Sequence, residues 1–290
     1  MRPHHIAFVL LIDMLWAFNI VAIKESVAAM PPLLAVALRY GVILAVCAVH
    51  IRIIPGRMLL VLATGLVTGV LQFGLGAYSY HVTNNLSALA IAGQLGVPLS
   101  LLFAILIDGE RIAWKRSAGI ILAIAGVVLL LVDPRIVDER FGILLTAGAS
   151  ACWAAGNLLF RRLSGIPVLT LYGWQALVSL PLLLLISWFI EPGGMAGLSS
   201  VPLSSFVWVV YSAVGASLIG HAGMSWLVQR YPVTVITPLT LPTPLLAVAV
   251  VVMVYGTPIT PMMLAGGVIT LIGVAIITLR TAHKRVDKEA

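Results

Sequence analysis

The chain has 290 residues, of which 61% are hydrophobic and only 9% are charged, and its formal net charge is +7. Soluble domains carry about 25% charged residues, so this composition excludes a water-soluble fold and predicts an all-α integral membrane protein. The apolar segments fill nearly the whole chain and leave no room for a separate soluble domain. The sequence has no nucleotide-binding fingerprint, which argues against a self-contained ATP-driven pump.

Apolar stretches of about 17–25 residues follow one another along the chain, the length that a roughly 30 Å hydrocarbon core requires of a helix. The first stretch could be read as a signal peptide that is cleaved after Ser26-Val27-Ala28, but Asp13 within it and a later echo of this helix argue that it stays. We therefore predict ten transmembrane helices, at Ile6–Ile23, Pro32–His50, Met58–Tyr80, Leu86–Ile107, Ser117–Val132, Phe141–Phe160, Val168–Ile190, Phe206–Val228, Val233–Tyr255 and Met262–Leu279.

Lysine and arginine are distributed unevenly between the two sets of connecting segments. With the N-terminus inside, thirteen lie on the inner side, whereas only Lys24, Arg135 and Arg140 lie on the outer side. Because cytoplasmic loops carry an excess of basic residues, both termini are predicted to be cytoplasmic. The same rule and anionic lipid account for the basic tail after Leu279, so we predict no nucleic-acid partner.

The first helix has an echo in the sixth. A tryptophan and a cation are eight positions apart in both, with an asparagine between them: Trp16, Asn19 and Lys24, then Trp153, Asn157 and Arg161. Further pairs recur 146 positions apart, namely Gly74 with Gly220, Tyr80 with Trp226, and Pro98 with Pro244. Five helices per half is an odd number, so the second half must enter the membrane from the opposite face. This predicts two inverted five-helix repeats around a central cavity, residues 1–135 and 136–290, the second with a basic cytoplasmic tail, as in many secondary transporters.

These residues also resemble a known family. The Trp16-x-x-Asn19…Lys24 helix, its echo, and Pro98 followed by Asp108-Gly109-Glu110-Arg111, Gly119 and Gly126 resemble the drug/metabolite transporter superfamily, and the halves resemble its paired EamA repeats. Within the superfamily the chain is most similar to YddG-type amino acid exporters. The resemblance implies a bacterial inner-membrane location, peripheral fifth and tenth helices, and outward movement of neutral amino acids or related metabolites. One departure is visible, because the counterpart of Glu110 falls on Gly256-Thr257.

Polar and aromatic side chains inside the spans are the predicted substrate-binding residues, since polar groups in lipid face protein or a cavity. An amide donates and accepts hydrogen bonds, which suits a zwitterionic solute, although an interhelical hydrogen bond is the alternative. A buried arginine could attract a carboxylate, and aromatic side chains either line the cavity or anchor the interface. The predicted set is Trp16, Asn19, Arg39, Tyr78, Tyr80, Gln94, Trp153, Asn157, Gln175, His221 and Trp226.

Helix breakers and ionisable groups provide the predicted moving parts. Pro98, Pro238 and Pro244 each remove a backbone hydrogen bond, so they mark hinges or gates in the fourth and ninth spans, with a packing kink as the alternative. Asp13 and His221 are possible proton sites, or else structural groups.

The fifth and tenth spans are rich in glycine, which allows close helix contact, so they predict bracing helices or a homodimer. Cys47 and Cys152 lie in apolar segments and imply no disulfide. No residue cluster has metal-ligand spacing and no catalytic constellation is present, so we predict no metal, no cofactor and no enzymatic activity.

Taken together, the sequence predicts a secondary transporter that exports small neutral or zwitterionic metabolites, chiefly amino acids including aromatic ones, by alternating access. One alternative is a proton-coupled multidrug or lipophilic-cation efflux protein, which needs an intramembrane acid such as Asp13. A second alternative is a non-transporting membrane scaffold. Proton coupling and facilitated diffusion are both compatible with these residues.

Overall fold

The structure, a computed structural model, describes the backbone of residues 1–109, 112–228, 230–231 and 233–289, and the side chains of residues 233–234, 237–238 and 280–289 lie outside this description. The chain is a bundle of helices. They are α1 Pro3–Ala29, α2 Pro32–Cys47, α3 Met58–Val82, α4 Leu86–Asp108, α5 Trp114–Leu131, α6 Arg140–Arg162, α7 Val168–Ile190, α8 Leu203–Val228, α9 Thr243–Tyr255 and α10 Pro261–Glu289.

Nine helices within the described ranges are long and apolar enough to cross a membrane, which confirms the predicted all-α membrane fold. The predicted ninth span is interrupted. A short helix, Val233–Ile236, and a 3-10 turn, Thr237–Thr240, precede α9, which itself has only 13 residues. The prolines of this stretch explain the interruption, because an interior proline removes a backbone hydrogen bond and clashes with the preceding turn.

The helices alternate in direction, which defines two faces of the bundle. The start of α1 and the C-terminal ends of α2, α4, α6, α8 and α10 lie at one face, here named the terminal face. The C-terminal ends of α1, α3, α5, α7 and α9 lie at the opposite face. The basic loops predict that the terminal face is cytoplasmic.

Helix contacts repeat between the two halves. Helix α1 packs against α8 and α9, just as α6 packs against α3 and α4, while α2 pairs with α7 and α5 pairs with α10. Exchanging the first five helices with the last five leaves this set of contacts unchanged, as the predicted inverted repeat requires.

The irregular turns repeat as well. Helix α3 contains a π-helical segment, Gly65–Gln72, and α8 contains one at the corresponding place, Ser212–Ala222. Helix α4 contains a 3-10 turn at Gly93–Leu95, which matches the 3-10 turn before α9. Such segments change the direction of the side chains that follow them, and π turns are frequent at functional sites.

Helices α5 and α10 form a close glycine seam. A Cβ on Gly126 would collide with the Gly266 carbonyl and with Thr270, and a Cβ on Gly273 would lie 2.5 Å from the Ala123 nitrogen. Glycine is therefore needed here so that the two backbones can touch. The seam braces the two halves within one chain, and a homodimer through α5 and α10 stays a prediction.

The outer surface of the bundle is apolar. On α1, for example, Leu10 is 50% exposed, Leu11 49% and Met14 55%. Large contiguous apolar surfaces are rare on soluble monomers, so this surface fits contact with lipid.

Candidate functional site

A cavity of about 460 Å³, here named the central cavity, lies in the middle of the bundle. Its walls combine aromatic rings with uncharged polar groups, and Arg39 is the one charged side chain among the described residues that line it. Helix α10, implied to be peripheral, also contributes Leu271, Val274 and Thr278. Of the predicted site residues, those that line it are Trp16, Asn19, Arg39, Tyr80, Gln94, Trp153, His221 and Pro244.

A second cavity of about 200 Å³, the terminal-side cavity, lies nearer the terminal face. The predicted residues Asn157 and Gln175 line this cavity and not the central one. Five residues border both cavities and therefore separate them: Trp16, Gln72, Phe73, Trp153 and His221. We name this set the aromatic partition.

Aromatic contacts hold the partition together. The Trp16 ring lies 5.0 Å from the His221 ring, and Phe73 lies 6.4 Å from His221 between centroids. Trp16 Nε1 donates a hydrogen bond of 3.3 Å to the Ala216 carbonyl. The two π segments end at Gln72 and Ala222, so they position both Gln72 and His221 at the partition.

Each tryptophan of the partition lies against a glycine. A Cβ on Gly220 would lie 2.5 Å from Trp16 Nε1, and a Cβ on Gly96 would lie 2.7 Å from Trp153 Cε3. Real Cβ contacts are not this short, so a larger residue at either position would displace the indole ring. The repeated tryptophans of the two halves therefore depend on glycines of neighbouring helices.

Arg39 is a buried cation in the wall of the central cavity, only 3% exposed. Its Nε and Nη2 atoms lie 3.0 and 2.7 Å from Ser217 Oγ, and its Cζ lies 4.4 Å from the centroid of the Phe73 ring. Within the described part of the chain, no carboxylate pairs with it. A buried charge without a counter-ion is costly, so this arrangement favours an anionic group of a ligand at this position.

Two residues that line the central cavity each have a buried side-chain oxygen with unused hydrogen-bonding capacity. Among the described residues, Asn19 Oδ1 and Thr146 Oγ1 are buried without a hydrogen-bond partner. Other predicted amides are engaged within the protein: Gln94 Nε2 lies 3.4 Å from the Ala90 carbonyl, Asn157 Nδ2 3.3 Å from Ser100 Oγ, and Gln175 Nε2 2.8 Å from Thr68 Oγ1. Asn19 is therefore the predicted amide with a free acceptor.

Asp13 is fully buried beside the interruption that precedes α9. Thr243 Oγ1 lies 2.7 Å from Asp13 Oδ1 and 2.8 Å from the Thr240 carbonyl, while Asp13 Oδ2 has no partner among the described residues. A threonine hydroxyl has a single proton and cannot fully satisfy two acceptors. A protonated Asp13 would donate to Thr243 and leave its hydroxyl proton for the carbonyl.

Several predicted residues lie elsewhere. Tyr78 packs in an apolar cluster that includes residues of α2, α3 and α7, and Trp226 lies at the terminal end of α8 with the Arg230 guanidinium 3.9 Å over its ring. Neither residue lines the central or the terminal-side cavity. Pro98 is buried in α4 just after the 3-10 turn, while Pro244 reaches the cavity wall. The side chain of Pro238, like Glu110, is outside the described residues.

The sequence did not single out Phe73, Gln72, Thr146 and Ser217, although all four border a cavity. Such residues are ordinary in apolar helices. Phe73 directly precedes Gly74, and Ser217 lies three positions before Gly220. The position of these two residues next to the repeated glycines of α3 and α8 is the signal that could have pointed to them.

Comparisons with known proteins agree with this architecture. The probable amino-acid metabolite efflux pump of Salmonella typhimurium is 29% identical over 278 residues, which cover 92% of each chain. The probable terminal-alkyne amino-acid exporter of Streptantibioticus cattleyicolor is 28% identical over 210 residues, covering 71% of this chain and 67% of that protein. A solved crystal structure with 21% identity matches with a TM-score of 0.65 over 97% of this chain and 99% of the other, a likeness of fold.

A family model covers nearly the whole chain. The EamA-like transporter family matches at residues 5–132 and again at residues 140–279. This confirms the resemblance to the drug/metabolite transporter superfamily, and it identifies a membrane transporter rather than an enzyme. The chain belongs to the EamA-like transporter family.

Proposed function

We propose that this protein exports small neutral or zwitterionic amino acids, aromatic ones included, across a bacterial inner membrane by alternating access. The observation that carries the proposal is Arg39, a buried cation in the central cavity whose described surroundings contain no carboxylate. The names of the related efflux pump and exporter support the same substrate class.

The cavity offers one partner for each part of an amino acid. The guanidinium of Arg39 has donors left over after its two bonds to Ser217, and these bind the substrate carboxylate. Asn19 Oδ1 accepts a hydrogen bond from the substrate ammonium group. The rings of Trp16, Tyr80 and Trp153 contact an apolar or aromatic side chain.

The divided cavity and the two equivalent halves support alternating access as the mechanism. The aromatic partition separates the central cavity from the terminal-side cavity, and its two tryptophans come from equivalent helices, α1 and α6. Movement of one half against the other shifts Trp16 relative to Trp153 and so opens one side of the partition.

Uptake into proteoliposomes tests the proposal. Purified protein is supplied with labelled aromatic, aliphatic, basic and acidic amino acids, with and without an imposed pH gradient. We expect saturable movement of the neutral and aromatic members. The Arg39→Gln variant should lower it roughly tenfold or more, because a hydrogen bond to a charged group contributes about 1.5–3 kcal/mol. Arg39→Lys should retain part of the activity, because it keeps the charge but loses the planar fork.

The matched control is Arg52→Gln, which removes an exposed arginine from the segment between α2 and α3. This variant should transport like the wild type. Equal uptake by wild type and Arg39→Gln would contradict the proposed role of Arg39 in substrate binding. If no amino acid of the panel is transported, the proposed substrate class is wrong.

Proton-coupled efflux of lipophilic cations is the second candidate, and one observation favours it: the buried Asp13, with one oxygen unpartnered among the described residues. Arg39 opposes it, because a cation in the cavity wall repels a cationic substrate. A lipophilic cation in the same vesicles distinguishes the two, since this function requires movement that follows the pH gradient and is lost in Asp13→Asn.

A further inference from the structure

Two helices end in the same way at opposite faces of the bundle. Asp108 is the last residue of α4, at the terminal face, and Tyr255 is the last residue of α9, at the opposite face. A glycine in the left-handed conformation follows each of them, Gly109 with φ +67° and Gly256 with φ +60°. Asp108 and Tyr255 therefore occupy equivalent positions in the two halves.

Their partners are equivalent too. The carboxylate of Asp108 accepts hydrogen bonds of 3.0 Å from Nη2 of Arg161 and Nη2 of Arg162, at the end of α6. The hydroxyl of Tyr255 donates a hydrogen bond of 2.7 Å to Oε1 of Glu25, near the end of α1. Glu25 lies nine positions after Trp16, and Arg162 lies nine positions after Trp153. A contact between equivalent helix ends therefore occurs in both halves. It is formed by ion pairs between α4 and α6 and by a hydroxyl-to-carboxylate hydrogen bond between α9 and α1.

We propose that these two contacts are latches, one at each face of the bundle, and that their relative strength sets which face opens at rest. The inference rests on the proposed alternating access. A mouth at the terminal face opens only when the ends of α4 and α6 separate, which breaks the contacts of Asp108. A mouth at the opposite face opens only when the ends of α1 and α9 separate, which breaks the contact between Glu25 and Tyr255.

The two latches differ in strength. Arg161 and Arg162 are 59% and 50% exposed and Asp108 is 21% exposed, so water and salt screen this ion-pair latch. The bond from Tyr255 to Glu25 is partly buried and charge-assisted, a combination that is less screened. The terminal-face latch is therefore the weaker, and the protein rests with that face the easier to open.

Cysteine labelling measures this balance without any substrate. In a background with Cys47→Ala and Cys152→Ala, Ser225→Cys reports on the terminal-side cavity and Ile23→Cys on the central cavity near the end of α1. A membrane-impermeant maleimide is applied from each side of oriented vesicles. The ratio of the two labelling rates, Ser225→Cys over Ile23→Cys, follows the equilibrium between the two access states.

Asp108→Asn removes the two solvent-screened ion pairs to Arg161 and Arg162 and should raise this ratio about fivefold. Tyr255→Phe removes only one hydroxyl and should lower the ratio by about tenfold or more, the effect of a charge-assisted hydrogen bond. The double variant should return toward the wild-type value. Asp138→Asn removes an exposed carboxylate from the opposite face and is the control that should change nothing.

High salt provides a test on the unaltered latches. High salt should raise the ratio in the background protein and leave it unchanged in Asp108→Asn, because both ion pairs are already gone in that variant. Ratios that stay constant in both single variants and in salt would overturn the latches. If the ratios shift as expected but no amino acid is transported, the latches are confirmed and the proposed substrate class is wrong. If amino acids are transported but the ratios stay constant, the substrate class is supported and the latches are wrong.

Discussion

At the scale of single residues, the partition depends on glycines that leave room for its tryptophans. Gly220 lies against Trp16 so closely that a Cβ would be 2.5 Å from Nε1. The indole must then move, and with it the contact to the His221 ring. The position of the Trp16 ring in the partition therefore depends on the glycine at position 220, which leaves room for it on the neighbouring helix.

Gly220→Ala should therefore lower uptake roughly tenfold, since overpacking of a fitted site costs about 1–3 kcal/mol. The measurement is initial uptake in proteoliposomes together with tryptophan fluorescence, which should shift because Trp16 is displaced. Gly41→Ala is the control, because Gly41 borders neither cavity and a Cβ there would meet nothing within 4 Å. Equal loss in both variants would mean that the Trp16 contact is not the cause.

The sequence identifies some of these residues and not others, for a physical reason. Trp16 and Asn19 stand out because they recur in an otherwise apolar helix, and Arg39 stands out because a charge in lipid is costly. Phe73 and Ser217 carry no such signal, since both are common in membrane helices. Their positions beside Arg39 depend on the tertiary arrangement of α2, α3 and α8.

At the scale of helices, the seam between α5 and α10 joins the end of the first half to the end of the second. Gly126→Ala should lower the free energy of unfolding by about 1–3 kcal/mol, because its Cβ would strike the Gly266 carbonyl and Thr270. Thermal unfolding in detergent measures the change. Gly41→Ala, on α2 with open space around its Cβ, should leave stability unchanged or slightly higher. A seam that tolerates alanine as well as Gly41 does would contradict the close contact.

Helix order and the break before α9 could be predicted from sequence, because apolar length and interior prolines have direct consequences for a membrane helix. The π segments of α3 and α8 could not. One extra residue in a turn leaves composition and hydropathy unchanged, and packing decides where it sits. The latches were also hidden, since Asp108 and Tyr255 share a position but not a residue type.

At the scale of the whole molecule, the odd number of helices per half fixes how the two faces relate. The start of α1 and the end of α10 lie at the terminal face, and the segment 191–202 between α7 and α8 lies at the opposite face. The excess of lysine and arginine belongs to the terminal face, which should therefore be cytoplasmic.

Reporter fusions test this orientation in bacteria. Green fluorescent protein attached after Ala290 should fluoresce, and alkaline phosphatase inserted within 191–202 should be active, because each reporter works only on its own side of the membrane. The exchanged fusions, phosphatase after Ala290 and fluorescent protein within 191–202, should both be silent. Active exchanged fusions would mean that the molecule is inserted the other way round.

Arg39 has an electrical consequence for a carrier of this kind. In the proposed alternating access the guanidinium would not travel, but the water-filled path that reaches it would change side, so its positive charge would pass from one electrical potential to the other. Transferring one full charge through 100 mV is worth about 2.3 kcal/mol, which is an upper bound for this step. An inside-negative voltage therefore favours the state of the empty carrier that is open to the cytoplasm, the side on which an exporter binds its substrate. Over a complete cycle that carries a zwitterion, this displacement of charge cancels. The membrane voltage would therefore change the fraction of empty carriers that are open to the cytoplasm, and not the substrate gradient reached at equilibrium.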